Sequence, residues 1–407
     1  MEQAATASTR IPANTADLPP STPAPAHLPA PRILTIINSF APGGVERVAL
    51  RLNATWQRMG VTALVLVGRS PPTGGGVVND VQFRLIAPES WLSRHGQPIW
   101  MLRHLPAIIR QDRPDILFCP GNTYSLIAIL LKLTMGRDCP LIIAKISNDL
   151  HRRDMNPAMR FLYYRWLWLH GRLIDHFVAI APALVDEIAQ RMQVGFARIS
   201  VINDPVLSAQ DIVDYSSHLP RPVQPGRRFI AVGRFVAQKN FPLLLAAFAR
   251  IAQPDDRLTI LGDGPDRGLL ERLLVNLGIA GQVTLPGHVV DVRPWLADAD
   301  IFCMSSNFEG VPAVVVEAIA AGLTIIATDC SAAMADLTGR GRFGTLVRVG
   351  DGPALAKAMD GAACGHGCTA EALEHVSRFT LEAGANAYLA LGRSLMAQRQ
   401  DDGLTIA

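Results

Sequence analysis

Short apolar runs and longer stretches with helical periodicity alternate along most of this chain. The first run, 33–37, is followed by a glycine-containing turn and then by an apolar-periodic stretch over 45–59. Short apolar runs are typical of buried strands, whereas apolar residues recurring every three or four positions are typical of helices. Their alternation predicts a parallel sheet covered by helices on both faces. In the first half of the chain, further strands are predicted at 62–67, 116–119, 141–145 and 176–180, and helices at 124–133 and 182–191.

The alternation is interrupted over residues 204–228, a proline-containing stretch without clear periodicity that predicts a linker between two domains. Beyond it the pattern restarts. We therefore expect an α/β protein of two facing Rossmann-like domains, at 32–203 and 229–375, with ligands beyond the carboxyl ends of the strands. A last helical stretch follows at 376–397. In the second half, strands are predicted at 229–233, 258–262, 283–285, 301–304 and 324–327, and helices at 242–252 and 265–277.

Composition and charge exclude several classes of protein. A chain of 407 residues is long enough for two cores, and a net charge of +3 is too small to indicate nucleic-acid binding. Residues 1–31 are rich in Ala, Pro, Thr and Ser, lack the features of a signal peptide, and predict a disordered tail. No apolar run is long enough to span a membrane. Since the six scattered cysteines are typical of free thiols, the sequence predicts a cytoplasmic protein.

The strongest candidate site follows the predicted strand at 301–304. Pro312 suits the start of a helix, whose free N–H groups and positive dipole end would face phosphate or sugar oxygens beyond the sheet. Glu309 precedes this helix and can accept hydrogen bonds from sugar hydroxyls, while Glu317, more than a turn inside it, can hold a ribose diol. The intervening Gly-Val-Pro favours a ligand site over two solvated glutamates. The segment at the helix tip comprises Gly310, Val311, Pro312 and Ala313.

A second strand-end loop, 233–240, carries two cations. Arg234 offers a planar guanidinium and Lys239 a mobile ammonium, and both can converge on a diphosphate. A departing diphosphate gains negative charge as the sugar bond breaks, so two such cations stabilise the transition state more than the ground state. Considered alone, the loop fits a solvated basic turn equally well.

Two glycine turns give weaker signals. Gly43 and Gly44 follow the first strand and let the backbone approach a phosphate or sugar closely, although a plain tight turn fits them at least as well. Gly262 and Asp263 belong to Leu-Gly-Asp-Gly-Pro, where contact with a base or ribose and a structural turn before a helix fit equally.

The combination of these motifs resembles glycosyltransferase family four. The resemblance rests on Gly-Arg-Phe…Lys-Asn from 233, Leu-Gly-Asp-Gly-Pro from 261 and the two glutamates separated by seven residues. It runs from about residue 32 to about residue 395. It implies the GT-B fold, in which the final helix crosses back onto the first domain.

The resemblance also implies a function. It implies that Arg234 and Lys239 bind the diphosphate of a nucleotide-sugar donor, that Glu309 contacts the transferred sugar and Glu317 the ribose, and that the Gly43 turn lines the cleft. Such enzymes retain the anomeric configuration, by a mechanism thought to be front-face displacement, and need no metal or other cofactor. The implied process is bacterial surface-glycan assembly, with a lipid-linked glycan as one class of acceptor.

The sequence departs from the family in the first domain. Many relatives carry a histidine after a strand there, near the reacting sugar. This chain has Cys119-Pro120-Gly121-Asn122 at one such place and Ser147-Asn148-Asp149 at another. Asn148 and Asp149 are our candidates for substrate contact.

Two patterns resemble metal sites but are interpreted as structural. Cys364-Gly365-His366-Gly367-Cys368 supplies three ligands at cramped spacing without a fourth, so a glycine-rich surface turn is favoured. Asp298-Ala299-Asp300 resembles the metal motif of a different glycosyltransferase fold, but it lies at a predicted helix-to-strand junction.

The segment from Arg152 to Arg172 mixes five arginines with aromatic residues. Such a mixture favours a helix lying on an anionic membrane surface, and hence the inner face of the plasma membrane. Trp100 and Arg103 are candidates for the same surface. The alternative is an ordinary helix with an apolar core face and outward arginines.

Two other functions fit the same motifs. A sugar-nucleotide epimerase of related architecture would turn over the donor without an acceptor. A non-catalytic sugar-nucleotide-binding protein would bind the donor without turnover, although binding alone would not require both cations together with Glu309.

Overall fold

The computed structural model describes residues 29–38, 44–68, 81–86, 97–147, 150, 155–217, 225–364 and 369–404. The predicted tail lies outside these residues except for its last three positions. Within the described residues the strands form two parallel sheets, as the alternating pattern predicts. None of the described helices is both long enough and apolar enough to cross a bilayer.

The first sheet has seven described strands in the order β3-β2-β1-β4-β5-β6-β7. Their inward apolar side chains pack against helices on both faces. The strands are β1 Ile33–Ile37, β2 Ala63–Val67, β3 Phe83–Leu85, β4 Ile116–Cys119, β5 Leu141–Ile146, β6 His176–Ala179 and β7 Ile199–Val201, and the α-helices are α1 Gly44–Arg58, α2 Gln97–Asp112, α3 Ser125–Met135, α4 Pro157–Leu173 and α5 Val185–Met192.

The second sheet has six described strands in the order β10-β9-β8-β11-β12-β13. Its two faces are covered by separate apolar clusters. The strands are β8 Arg228–Val232, β9 Arg257–Leu261, β10 Val283–Gly287, β11 Ile301–Met304, β12 Thr324–Thr328 and β13 Gly344–Val347, and the α-helices from the linker onwards are α6 Ala209–Ser217, α7 Phe241–Ile251, α8 Arg267–Asn276, α9 Arg293–Ala297, α10 Ala313–Ala320, α11 Met334–Leu337, α12 Gly352–Asp360, α13 Ala370–Ser377 and α14 Leu381–Leu404.

The stretch predicted as an irregular linker contains a helix, α6. Ser208 caps it, because the Asp211 backbone N–H donates to Ser208 Oγ at 3.1 Å and the Ser208 backbone N–H donates to Asp211 Oδ2 at 2.7 Å. This reciprocal pair is a capping box, readable from Ser-x-x-Asp in the sequence. The predicted linker therefore contains a capped helix over 209–217, and residues 218–224 lie outside the described residues.

The long helix α14 returns to the first sheet. Trp56 of α1 donates its indole N–H to the Ala385 carbonyl at 3.1 Å. The same ring packs edge-on against Phe118 and Tyr388, with centroids 5.7 and 6.0 Å away. Burying three aromatic rings in one cluster stabilises the contact between the end of the chain and its beginning.

Buried His176, at the start of β6, predicts loss of stability in mild acid. Its Nε2 lies 2.9 Å from Ser200 Oγ, and burial lowers the pKa of the imidazole to about 4. As the pH falls, the imidazole of the unfolded chain is protonated near pH 6.5, whereas that of the folded chain is protonated only near pH 4. The free energy of unfolding contributed by neutral His176 is therefore fully present above pH 6.5 and is lost as the pH falls toward 4. We expect His176 to contribute a loss of about 3 kcal/mol at most.

Urea unfolding at pH 7 and pH 4.5 measures this loss. His176→Gln should flatten part of the pH dependence, while the exposed His288→Gln control should leave it unchanged. An unaltered pH profile in His176→Gln would assign the acid sensitivity to other groups.

Candidate active site

The second sheet reverses its winding direction between β8 and β11. From β8 the chain moves outward to β9 and β10, whereas β11 lies on the other side of β8 and leads to β12 and β13. Loops leaving the carboxyl ends of two such strands diverge and form a crevice, which is where ligands of doubly wound sheets bind. The loop after β8 contains the predicted cation pair, and the loop after β11 contains Glu309.

Side-chain and backbone hydrogen bonds join these two loops. Asn307 is the centre of the contact: its backbone N–H donates to the Gln238 carbonyl at 2.8 Å and its Nδ2 to the Ala237 carbonyl at 2.9 Å. Asn240 Nδ2 donates to Asn307 Oδ1 at 3.0 Å, and Ser305 Oγ to the Lys239 carbonyl at 2.9 Å. The loops therefore form one rigid unit. Asn240 belongs to the Lys-Asn motif, but no positioning role was predicted for Asn240, Asn307 or Ser305, because nothing in the sequence shows that their polar side chains bridge the two loops.

Lys239 and Glu309 form an ion pair at the centre of this unit. Lys239 Nζ lies 2.6 Å from Glu309 Oε1, and the two side chains are only 18% and 10% exposed. The methylene stem of Lys239 lies over Gly233, where any side chain would press against it. A partly buried charge needs its partner, so each side chain fixes the other. Two of the three predicted catalytic residues are thus in direct contact.

The third predicted catalytic residue, Arg234, belongs to the same loop. Its side chain is exposed and makes no hydrogen bond or ion pair with the described residues. A guanidinium that is not engaged by the fold keeps its donors available for a ligand.

The tip of α10 lies beside Glu309. Glu309 donates its backbone N–H to the Cys330 carbonyl at 3.1 Å, and the Gly310 carbonyl accepts from Ser331 Oγ at 2.6 Å. Val311 packs against apolar clusters of both domains. Pro312 precedes the first helical residue, Ala313. The predicted helix tip is therefore present, and its loop reaches the first domain.

The third strand-end loop contacts the cation loop through its glycines. Gly262 adopts φ +136°, and a Cβ there would overlap the Gly233 carbonyl. Phe235 donates its backbone N–H to the Asp263 carbonyl at 2.9 Å, and a Cβ on Gly264 would overlap the Phe235 backbone. These contacts give the motif a structural role. The predicted ligand contacts of Gly262 and Asp263 stay predictions.

Glu317 lies on the face of α10 toward the first domain. Burial raises the pKa of its carboxyl, while the positive charges of Arg51 and Arg47 act to lower it. Arg51 in turn donates to the Val206 carbonyl at 2.5 Å and lies 3.5 Å from Asp211 of α6. These two arginines, absent from the sequence prediction, bring positive charge from α1 to the predicted ribose site.

The first-domain candidates are only partly described. Gly44 begins α1, and apart from its chain neighbours and the backbone of α1 no atom lies within 4 Å of the position a Cβ would occupy there. Gly43, Asn148 and Asp149 lie outside the described residues. Nearby, Tyr124 donates its hydroxyl to Glu46 Oε1 at 2.8 Å.

Two cavities, of about 720 and 490 Å³, lie at the amino edge of the first sheet, away from the strand-end loops described above. They share Leu141 and Arg399 and open near the amino ends of β4 and β5. Neither is lined by the three strand-end loops of the second domain, so the chemistry of the residues, rather than cavity size, locates the candidate site.

The metal-like patterns have other partners or fall partly outside the described residues. Asp300 and Asp298 pair with Arg228 at 3.0 and 2.9 Å, which is the structural role predicted for them. Cys364 is described, but residues 365–368 of its cluster are not. No group of three or more His, Cys, Asp and Glu side chains suited to a metal occurs among the described residues.

Comparison with known proteins gives two family matches. Residues 42–206 match the model described as Glycosyltransferase Family 4, and residues 226–363 match Glycosyl transferases group 1. Over 167 residues the chain is 34% identical to the lipopolysaccharide core biosynthesis glycosyltransferase LpsE of Rhizobium meliloti, covering 40% of this chain and 48% of LpsE. The chain thus aligns with about half of that relative.

A second relative and two solved structures extend the comparison. The N-acetylgalactosamine-N,N'-diacetylbacillosaminyl-diphospho-undecaprenol 4-alpha-N-acetylgalactosaminyltransferase of Campylobacter jejuni is 33% identical over 120 residues, 30% of this chain and 33% of its own. The lipopolysaccharide outer core galactosyltransferase WaaB has a TM-score of 0.69 at 20% identity, over 90% of this chain and 99% of its own. Anabaena HepE in complex with UDP has a TM-score of 0.64 at 17% identity, over 92% and 100%.

The structural likeness concerns the fold, while the family models match the sequence of both halves, including the three strand-end loops of the second domain. The chain belongs to glycosyltransferase family 4 and has the GT-B fold.

Proposed function

We propose that this protein is a retaining glycosyltransferase that moves a sugar from a nucleotide-diphosphate sugar to an acceptor hydroxyl in bacterial surface-glycan assembly. The observation that carries the proposal is the Lys239–Glu309 pair, held by two fixed loops at the switch point of the second sheet. The names of LpsE and of the Campylobacter enzyme support the process, and the UDP complex of HepE supports the donor class.

The site has the charge distribution that a diphosphate requires. Lys239 carries three N–H donors, of which Glu309 engages one, so the others are available to phosphate oxygens. Arg234 adds a fork of donors from the same loop, and the tip of α10 adds backbone N–H groups and a positive dipole end. Glu309 itself accepts hydrogen bonds, which suits the hydroxyls of the transferred sugar.

The proposed step is a front-face displacement. The acceptor oxygen forms a bond to the anomeric carbon on the face from which the diphosphate departs. The electron pair of the broken carbon–oxygen bond goes to the leaving phosphate oxygen, which also takes the acceptor's proton. The two cations stabilise the negative charge that develops on this oxygen. Their stabilisation is therefore larger in the transition state than in the ground state. In this proposal the protein supplies that charge without a metal, and activity should persist in EDTA.

The experiment combines a donor panel with a configuration readout. UDP-, GDP- and other nucleotide sugars are first ranked by thermal shift and then incubated with lipid-linked and soluble acceptors. Transfer that keeps the anomeric coupling constant of the donor, measured by proton NMR, supports the proposal. Epimerised donor without acceptor would identify an epimerase, and tight binding without transfer or slow hydrolysis would identify a binding protein.

A further inference from the structure

The outer face of α4 combines exposed apolar side chains with arginines. Phe161 and Leu162 are 66% and 67% exposed, and Met159, in the first turn, is 54% exposed. One to three turns further on, Arg165 and Arg172 lie 4.8 and 4.7 Å from the centre of the Trp168 ring. Between 155 and 174 the sequence contains no aspartate or glutamate. This outer face therefore combines exposed apolar side chains with positive charge, and no acidic residue of the helix opposes that charge.

The fold does not need this face. The opposite side of α4 is anchored by Leu167, which is buried, and by His170, whose Nε2 lies 2.7 Å from Ser125 Oγ of α3. Gly171 lies so close to the Met192 carbonyl of α5 that a side chain there would overlap it. The helix is thus fixed on its inner side, while Phe161 and Leu162 remain in solvent.

The course of the chain places the apolar end of α4 at the carboxyl edge of the first sheet. Leu173 ends α4 just before β6 begins, so the carboxyl end of the helix lies at the amino edge of the parallel sheet. The first turns of α4, with Met159, Phe161 and Leu162, therefore lie toward the carboxyl edge. That is the edge at which ligands of such sheets bind.

We propose that this outer face docks the protein on an anionic lipid surface, with Phe161 and Leu162 inserted among the headgroups and Arg165 and Arg172 on lipid phosphates. Stacking on Trp168 orders both guanidinium groups and leaves their edge donors available, and an aromatic ring flanked by arginines suits the interface between headgroup and acyl chain. A protein partner would have to offer acidic side chains to the arginines and a pocket shaped for the two apolar residues. An anionic bilayer supplies negative charge and an apolar environment without any matching shape.

Resting on the proposed function, the docking also specifies the acceptor. A membrane held against the first turns of α4 lies at the carboxyl edge of the first sheet, where ligands of such sheets bind, so the acceptor hydroxyl belongs to a lipid-borne glycan that reaches this edge from the bilayer surface. A freely diffusing acceptor would gain nothing from this geometry.

Vesicle flotation of the full chain tests the docking without requiring donor or transfer. The probes are phosphatidylcholine vesicles with and without about 30% phosphatidylglycerol, at low and high salt. We expect binding to the anionic vesicles only, weakened about twenty-five-fold in Arg165→Gln/Arg172→Gln, since each arginine near an anionic surface accounts for about fivefold. Phe161→Ser/Leu162→Ser should lose at least about tenfold. The matched control is Leu269→Ser/Val275→Ser, which changes exposed apolar residues of α8 in the second domain.

Three outcomes would overturn the proposal: equal binding to neutral vesicles, full binding by Phe161→Ser/Leu162→Ser, or a wild-type dimer in light scattering that this variant abolishes without any vesicle binding. The acceptor inference is measured separately. Both variants should keep wild-type kcat/KM on a soluble acceptor analogue and lose activity on a vesicle-borne acceptor. If the protein were not a glycosyltransferase, the wild type itself would transfer sugar to neither acceptor.

Discussion

Replacing Lys239 by alanine is expected to lower kcat/KM for sugar transfer by about a thousandfold. The ammonium lies in the loop that leaves the switch point of the second sheet and is fixed 2.6 Å from Glu309. Loss of one fixed donor to a developing oxyanion typically costs about 3–4 kcal/mol of transition-state stabilisation, or two to three powers of ten in rate. Because the substitution removes both a donor and a charge, the upper end applies.

The substitution should leave the protein folded. Lys239 retains some exposure, and the loop is held by backbone bonds and by Asn307 rather than by the ammonium. Circular dichroism and the melting temperature check this point. Arg250→Ala is the matched control, because it removes an exposed cation from the helix that follows the same loop. It should retain activity within about twofold, since surface substitutions are usually near neutral.

The contribution of Glu309 has to be measured in a separate variant, because Lys239→Ala also removes the ion-pair partner of Glu309. Glu309→Gln keeps the shape and a hydrogen-bond acceptor but removes the charge that positions Lys239. We expect a smaller loss than in Lys239→Ala, seen in both KM for the donor and kcat. If Lys239→Ala stayed near wild type while folded, the donor diphosphate would have to bind elsewhere.

The sequence predicted the sheets well because their strands are short, apolar and separated by helices of clear periodicity. β4 and β11 lie at the predicted residues, Ile116–Cys119 and Ile301–Met304. Three of the four edge strands described were missed: β3, β7 and β13 have three or four residues each and are largely part-exposed, so they lack a continuous apolar run. Tertiary pairing with a neighbouring strand, rather than local pattern, defines them.

The side chains of the site were predictable only where their chemistry forms a motif. Lys239 and Glu309 are far apart in sequence, but both follow predicted strands of the second sheet, at whose carboxyl ends ligands were expected. Arg51 carried no such signal, because its role depends on α1 lying opposite α10 across the two domains. Trp100 was wrong as a surface candidate: it is 2% exposed, since α2 turns that ring into the core.

The largest expected effect on stability comes from Gly262→Ala. Gly262 has φ +136°, which L side chains rarely adopt, and its new Cβ would overlap the carbonyl oxygen of Gly233. That carbonyl belongs to the backbone, so relief requires the cation loop to move away from β9. A strained backbone and an overlap of this kind together cost about 2–4 kcal/mol.

The substitution should disturb the candidate active site as well as the fold, because the stem of Lys239 lies over Gly233. We therefore expect Gly262→Ala to lower the free energy of unfolding in urea and also to raise the donor KM at temperatures where the variant is fully folded. Gly281→Ala is the control: its surroundings are open within 4 Å and its φ lies outside the left-handed range, so its stability should change by less than about 0.5 kcal/mol. Wild-type unfolding energy in Gly262→Ala would show that the loops are not packed as described. Lower stability with an unchanged donor KM would show that the packing of the Gly262 loop does not affect donor binding. The geometry of the cation loop would then depend on Asn307 and not on the contact with Gly262.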